Sequence, residues 1–200
     1  MSTGSLTYQE TLDTLVEFLE VAFYTILHHG SLYPDQLFER RSKYGIPIYI
    51  SRHPDLTGYV RDFLQAMRPS LEQDLVEEVS LNVRGEDRLV ERFSFHLSSL
   101  LPTSTLVDVS QGHEPLQHGP SAMELEARYR ACLSSLYRCF RVGMDNTPAD
   151  QGELNGQTWS LGLHLRRPML PLTDGSDRLP WIPEGEEEGC EVSHERSKPE

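Results

Sequence analysis

Three stretches of the sequence predict an α+β fold. Between Thr11 and His28 (TLDTLVEFLEVAFYTILH), apolar residues recur at Leu12, Leu15/Val16, Leu19, Ala22/Phe23 and Ile26/Leu27. That is helical spacing. From Leu75 the period drops to two. Val79, Leu81 and Val83 alternate with Ser80 and Asn82, a glycine-containing turn follows (Arg84 to Arg88), and Phe93, Phe95 and Leu97 alternate with Ser94 and His96. Such a pattern predicts an antiparallel hairpin with one buried face. Trp159, Leu161, Leu163 and Leu165 alternate again, which predicts a strand able to join the hairpin.

The first helix carries Phe18, Val21 and Thr25 beside its main stripe, leaving a polar strip of Asp13, Thr14, Glu17, Glu20 and Tyr24. A helix that is apolar on nearly every side is packed inside a domain, so it is expected between a sheet and other helices. It should stop at Gly30, with Pro34 just beyond. His28 and His29 at its end suit the negative end of the helix dipole. Neighbouring residues on a helix point in different directions, so no shared metal is expected there.

Tyr33 to Tyr44 (YPDQLFERRSKY) reads as a short helical turn and a basic loop. Arg40, Arg41, Lys43 and the nearby Arg52 are either simply solvated or form a small acid-recognising patch. GIPIYI (45–50) is an apolar run whose Pro47 restricts it to an edge or irregular strand. His53-Pro54 opens a second helix, proline being suited to the first turn. Its stripe is Leu56, Tyr59/Val60, Phe63/Leu64 and Met67, and Pro69 is expected to end or kink it. After a polar loop from Pro102 to Pro120, Ser121 and Glu124 form a capping box. They precede a third amphipathic helix with Leu125, Tyr129, Cys132/Leu133, Leu136 and Phe140 on one face and Arg128, Arg130, Arg138 and Arg141 on the other. Residues 143–156 read as loop.

Beyond Arg167 the segment is rich in both proline and apolar residues, including Met169, Leu170, Leu179, Trp181 and Ile182. It is too apolar for a solvated tail and too proline-rich for a core strand, so it is expected to run extended along the body. From Glu184 onward seven glutamates face Arg196 and Lys198, the composition of a disordered tail.

Two hundred residues suit one domain with tails. With 18 basic and 31 acidic residues the net charge is −13. That argues against direct nucleic-acid binding, which rests on clustered Lys and Arg. No secretory start and no span for a bilayer are visible, so no membrane role is expected. Three cysteines without zinc spacing suit a reducing compartment. Cys132 and Cys139 sit two helical turns apart, roughly 10 Å between Cα atoms, too far for a disulfide. A nuclear location is expected, with the cytosol as a second compartment. Glycine-rich phosphate loops, nucleophile elbows, H-E-x-x-H and paired C-x-x-C motifs are all missing from the sequence. No enzyme, cofactor or metal chemistry is therefore expected.

The run EFLEVAFYTILHHGSLYPDQLFERRSKYGIPIYISRHPDL (17–56) resembles the amino-terminal part of the HORMA-domain family. The glutamate-phenylalanine helix, the IL…YP step, the F-x-x-R-x-K-Y-G turn and the H-P-x-L helix start occur in the family's order. The similarity continues through the hairpin, the third helix and the Trp159 strand to the PWIP run around Trp181. The H-P-D-L and PWIP motifs resemble one branch of the family in particular, the non-catalytic accessory subunit of translesion DNA polymerase zeta.

The resemblance implies three helices packed on an antiparallel sheet, residues 1–183 forming the domain and 184–200 the acidic tail. A belt of about 166–183 would wrap over a partner peptide and trap it against the sheet. The implied partner is a proline-rich peptide of the polymerase's catalytic subunit, and the family also bridges to a second translesion polymerase. Tyr59 and Trp181 correspond to aromatics lining the peptide cleft, although on periodicity Tyr59 also fits a core position. Arg130 matches an arginine used for pairing with another HORMA protomer. The family also contains spindle-checkpoint and meiotic-chromosome adaptors, which is the alternative function. One departure stands out. Relatives continue past the tryptophan with strand-forming residues, whereas GEEEGCEVSHERSKPE has no strand alternation.

Overall fold

The first helix begins before its apolar stripe does. Thr7 caps it, its hydroxyl accepting from the Glu10 amide at 3.1 Å while the Glu10 carboxylate accepts from the Thr7 amide at 2.9 Å. This reciprocal pairing satisfies two otherwise free donors. In the computed structural model, residues 6–85, 88–101, 120–144 and 157–166 are described. They belong to one compact unit, Met1–Met169. The elements are α1 (Tyr8–His29), a 3-10 turn (Asp35–Leu37), β1 (Phe38–Lys43), β2 (Ile46–Ser51), α2 (Pro54–Glu72), β3 (Val76–Arg84), β4 (Leu89–His96), α3 (Leu97–Leu100), α4 (Ala122–Met144) and β5 (Thr158–Leu165). The belt expected at about 166–183 (beyond Arg166), the tail expected at 184–200 and most of the stretches expected as loops at 102–120 and 143–156 lie outside the described residues.

Helix α1 is central, as its periodicity predicts. Leu15, Phe18, Leu19, Ala22, Phe23, Ile26 and Leu27 are all fully buried. Phe18 stacks on Tyr129 of α4 with centroids 4.3 Å apart and meets Phe95 of β4 edge-on at 6.2 Å. Phe23 meets Phe63 of α2 and Phe95. The sheet thus lies against one side of α1, and α2 and α4 lie against others. Tyr24 departs from the expected polar strip, being 1% exposed. Its hydroxyl donates to Glu20 at 3.1 Å, so the ring is buried and only its polar tip needs a partner. Burial pushes that phenol up to about 12.

Gly30 ends α1 as expected, although its φ of −73° is one that any residue adopts. The close approach of a carbonyl is what excludes a side chain, since a Cβ at Gly30 would lie 2.9 Å from the Ile26 oxygen. The left-handed residue is Ser31, at φ 53°.

The basic loop expected at 38–43 is instead strand β1, paired antiparallel with β2 from Phe38↔Ser51 to Lys43↔Ile46. Apolar alternation is lacking in β1, so the turn decides its structure. Tyr44 and Gly45 both take positive φ (53° and 71°), the conformation of a tight hairpin turn. Pro47 sits in this two-stranded sheet, at the edge position its missing donor requires.

Helix α2 is capped by the His53 ring, whose Nδ1 accepts from the Leu56 amide at 3.4 Å. Pro69 does not end it; α2 continues to Glu72 with Ser70 and Leu71 buried. A proline one turn from the end removes a single donor, and burial of Leu71 holds the last turn. α3 was not anticipated. It is one short turn that buries Leu97 and Leu100. α4 begins at the expected capping box of Ser121 and Glu124.

The main sheet has the order β4-β3-β5, antiparallel throughout. β5 joins the hairpin through β3, with Val79↔Leu163, Leu81↔Leu161 and Val83↔Trp159. The other face carries Glu78, Ser80 and Asn82. It was expected to be open, yet Ser80 and Asn82 are 2% and 4% exposed. β3 is the middle strand, so its polar side chains lie between those of two neighbours. On β5 the opposing residue is Gly162, where a Cβ would come within 2.7 Å of Ser80 Oγ and 3.3 Å of Asn82 Nδ2. Glu78 accepts from Ser94 at 2.7 Å and from Arg92 at 3.2 Å.

Phe18 contacts both the sheet and α4, so Phe18→Ala is expected to cost about 3–5 kcal/mol. A lower urea midpoint at unchanged slope would show it. A loss under about 1 kcal/mol would contradict its central place.

Candidate functional site

Strand β5 lies at one edge of the sheet and, among the described residues, pairs on one side only, with β3. The backbone of an edge strand can accept a further strand. An aromatic corner stands at its start. The Trp159 indole N–H donates to the Tyr33 hydroxyl at 3.2 Å. The Tyr59 ring lies perpendicular to the indole at 5.2 Å, and the Tyr33 ring is edge-on at 6.3 Å.

Three elements deliver these rings. The turn after α1, closed by the Leu32 amide on the Leu27 oxygen, places Tyr33. The His53 cap sets the start of α2 and so the second-turn position of Tyr59. Alternation along β5 turns Trp159 to the same side as Val83 and Leu161. Tyr59 is 38% exposed. It therefore sits at the margin of the α2 stripe, which corrects its reading as a core position. Tyr33 and Trp159 are half-buried. Together the rings bring aromatic faces to the side of an edge strand.

Sequence reasoning identified Tyr59 but gave no site role to Trp159 or Tyr33. A usable signal was present: a partly buried indole needs an acceptor for its N–H, and a tyrosine at the exit of the central helix can supply one. Trp181 lies outside the described residues.

Arg130 is exposed on α4, and its Nε donates to the Tyr44 carbonyl at 2.6 Å. Its guanidinium would lie 3.4 Å from a Cβ at Gly45. Two turns of helix further, the Tyr137 hydroxyl donates to the Pro47 carbonyl at 2.6 Å. α4 therefore grips the β1–β2 hairpin at two points. The Tyr44 ring is buried against Tyr129 at 5.6 Å, and burial raises its phenol pKa well above the usual range.

The basic residues of the hairpin are largely neutralised within the domain. Glu39 pairs with Arg41 at 2.8 Å and with Arg52 at 3.4 Å, and Lys43 pairs with Glu17. The hydrogen bond from Arg41 holds the Glu39 carboxyl below its ordinary range. Three of the four cations are thus engaged, which weakens the acid-recognising reading. A shallow groove of about 200 Å³ between α1 and α2 is lined by Val16, Glu20, Arg61, Leu64, Gln65 and Arg68. Arg68 is already bonded to Asp13 and Glu72.

Cys132 and Cys139 are free thiols, and burial raises the pKa of Cys132. A raised thiol is a poor nucleophile. Among the described residues, no group of three His, Cys, Asp or Glu side chains could hold a metal, and no helix is long and apolar enough to cross a membrane.

An edge strand beside helices packed on an antiparallel sheet is the architecture of HORMA domains, and comparison with known proteins agrees. The chain is 33% identical over 179 residues to the chicken mitotic spindle assembly checkpoint protein MAD2B, covering 87% of this chain and 76% of that protein. It is 32% identical to the zebrafish protein of the same name, over 90% of this chain and 79% of that one. Several other matches are shorter, and the chain spans between 27% and 47% of the length of those relatives. The DNA polymerase zeta processivity subunit of Arabidopsis thaliana is 35% identical over 49% of this chain and 46% of that protein. Among solved structures, a chain of the mitotic checkpoint complex superposes with a TM-score of 0.61 at 14% identity, over 86% of this chain and 81% of that one. A chain from the structure of HTP-2 bound to HTP-3 motif-6 gives 0.60 at 12% identity, over 93% and 81%. No protein-family model matches. The chain belongs to the HORMA-domain family of MAD2B and DNA polymerase zeta processivity subunits.

If Arg130 anchors the hairpin turn, Arg130→Ala will speed amide exchange at Tyr44–Ile46 several-fold. The stability cost should be only about 1 kcal/mol, the ordinary net worth of one part-buried hydrogen bond. Unchanged exchange in that turn would remove the anchoring role.

Proposed function

We propose that this chain is a non-catalytic adaptor subunit of translesion DNA polymerase zeta, acting in DNA damage tolerance and repair in the nucleus. It holds a proline-rich peptide of the catalytic subunit. The observation that carries this reading is the corner of Tyr33, Tyr59 and Trp159 beside the once-paired edge of β5, in a chain of the MAD2B family. A proline-containing segment is already extended, so little conformational freedom is lost when it binds, and aromatic faces complement its rings. The edge strand supplies main-chain hydrogen bonds, and the aromatic residues read the side chains.

Residues 166–183 form the belt over that peptide, with Trp181 as its anchor. A tryptophan between two prolines suits an interface hot spot, where buried aromatics carry much of the binding energy. Arg130, through the hairpin it grips, supports pairing with a second HORMA protomer. Docking of a second translesion polymerase belongs to the same adaptor role. With a net charge of −13, contact with DNA falls to the partner subunits.

Titration with a proline-rich peptide of the catalytic subunit tests this function directly. Trp181→Ala and Trp159→Ala should each weaken binding at least about thirtyfold, the 2 kcal/mol that marks an interface anchor. Equal affinity for wild type and Trp181→Ala would remove Trp181 from the site. The second reading, a spindle-checkpoint or meiotic-chromosome adaptor, draws on the checkpoint name its relatives carry. A pull-down that recovers spindle-checkpoint proteins but not the polymerase catalytic chain would favour it over the first.

A further inference from the structure

His28 and His29 close α1 inside a cage of aromatic rings drawn from three other elements. The His28 ring stacks on Tyr49 of β2 with centroids 3.6 Å apart and planes at 14°, and it meets Phe38 of β1 edge-on at 5.2 Å. His29 meets Tyr49 at 5.3 Å and Tyr137 of α4 at 5.0 Å, both edge-on, and stacks on Phe140 of α4 at 5.6 Å. Phe140 in turn lies 5.6 Å from Phe93 of β4. The two imidazoles sit 4.7 Å apart and perpendicular. His28 Nδ1 and His29 Nε2 are both buried without a hydrogen-bond partner. This pair therefore joins α1 to the β1–β2 hairpin, to α4 and, through Phe140, to the main sheet.

We propose that the His28–His29 pair is an acid-sensitive latch, whose protonation loosens the β1–β2 hairpin and the end of α4 from α1. A neutral imidazole packs well among rings, but a protonated one carries a charge that burial penalises and N–H donors that need acceptors. Two charges 4.7 Å apart also repel.

The surrounding groups offer little relief. From the 3-10 turn, Asp35 reaches His28 Nε2 at 3.4 Å, but its side chain is 85% exposed and its attraction is screened. β1 contributes Arg40, a cation standing opposite Tyr49 in the ladder. β2 contributes the Tyr49 phenol, and β4 places Arg92 next to Phe93 and Glu91 two residues before it. On α4, Tyr137 has its hydroxyl committed to Pro47, and Arg138 and Arg141 flank Phe140.

Burial lowers both histidine pKa values, and His28 lowers that of His29 further. The unfolded chain takes up protons near pH 6.5, while the packed pair resists them. Stability conferred by the pair is thus complete above that pH and is lost as pH falls below it.

Backbone amide exchange of the full chain at pH 7.5 and 5.5, corrected for intrinsic rates, tests the latch. The wild type should lose about tenfold or more of its protection across Ile46–Ser51 on acidification, because the unfolded chain takes up protons that the packed pair resists. A His28→Phe/His29→Phe double variant should lose less than about twofold. Equal losses in the two proteins, or none in the wild type, would overturn the proposal. If the double variant does not fold, titration of the two imidazoles in the wild type by NMR decides. Midpoints below 6.5 for both support the latch, and ordinary midpoints overturn it.

Discussion

Everything in this domain depends on burying one helix on nearly every side. Helix α1 gives solvent only a narrow strip, on which Glu10, Asp13 and Glu17 are exposed, so the sheet, α2, α4 and the β1–β2 hairpin close on the rest of it. The Phe18–Tyr129 stack, the edge-on contacts of Phe18 and Phe23 with Phe95, and that of Phe23 with Phe63 tie three of those layers to adjacent turns of the same helix. Aromatic pairs have preferred geometries as well as buried area, so they fix the angle at which each layer meets α1. Because the layers are oriented by one helix, the short elements at its end inherit their positions from it. Tyr33 on the exit turn and the histidine pair just before it are held by the same scaffold.

Much of this was legible in the sequence, and the misses follow a pattern. Signals resting on periodicity came through: the buried α1, the hairpin of β3 and β4, β5 as a third strand, and α4 behind its capping box. The start of α1 is encoded outside its apolar stripe, since Thr7 and Glu10 form the same serine/threonine-to-glutamate box as Ser121 and Glu124. Strand β1 could not be seen from its own residues. FERRSK has no alternation, and its structure comes from a turn at Tyr44–Gly45 and a partner eight residues on. Tyr24, Ser80 and Asn82 were misplaced for a related reason. Each has a polar tip, and a sequence does not say whether a tertiary neighbour will cover the rest.

The candidate site was legible only in part. Tyr59 could be named from the family resemblance, but its position at the margin of α2 follows from how that helix lies against β5. Trp159 reads in sequence as the first member of an alternating strand, and its partnership with Tyr33 spans 126 residues. No local pattern encodes such a contact. Arg130 shows the reverse case. A residue implied to face outward toward a partner also reaches inward to the Tyr44 carbonyl, so any effect of changing it has an internal component.

The notch at Gly162 has a consequence for how such a chain can diverge. The strand is thin there because Ser80 and Asn82 of the neighbouring strand occupy the space where a side chain would stand. Positions 80, 82 and 162 therefore share one volume. A larger residue on β5 becomes tolerable only when the two on β3 shrink or turn away, and a bulkier pair on β3 keeps the glycine in place. Across a set of close relatives these three positions should vary as a unit, although they are separated by some eighty residues of chain.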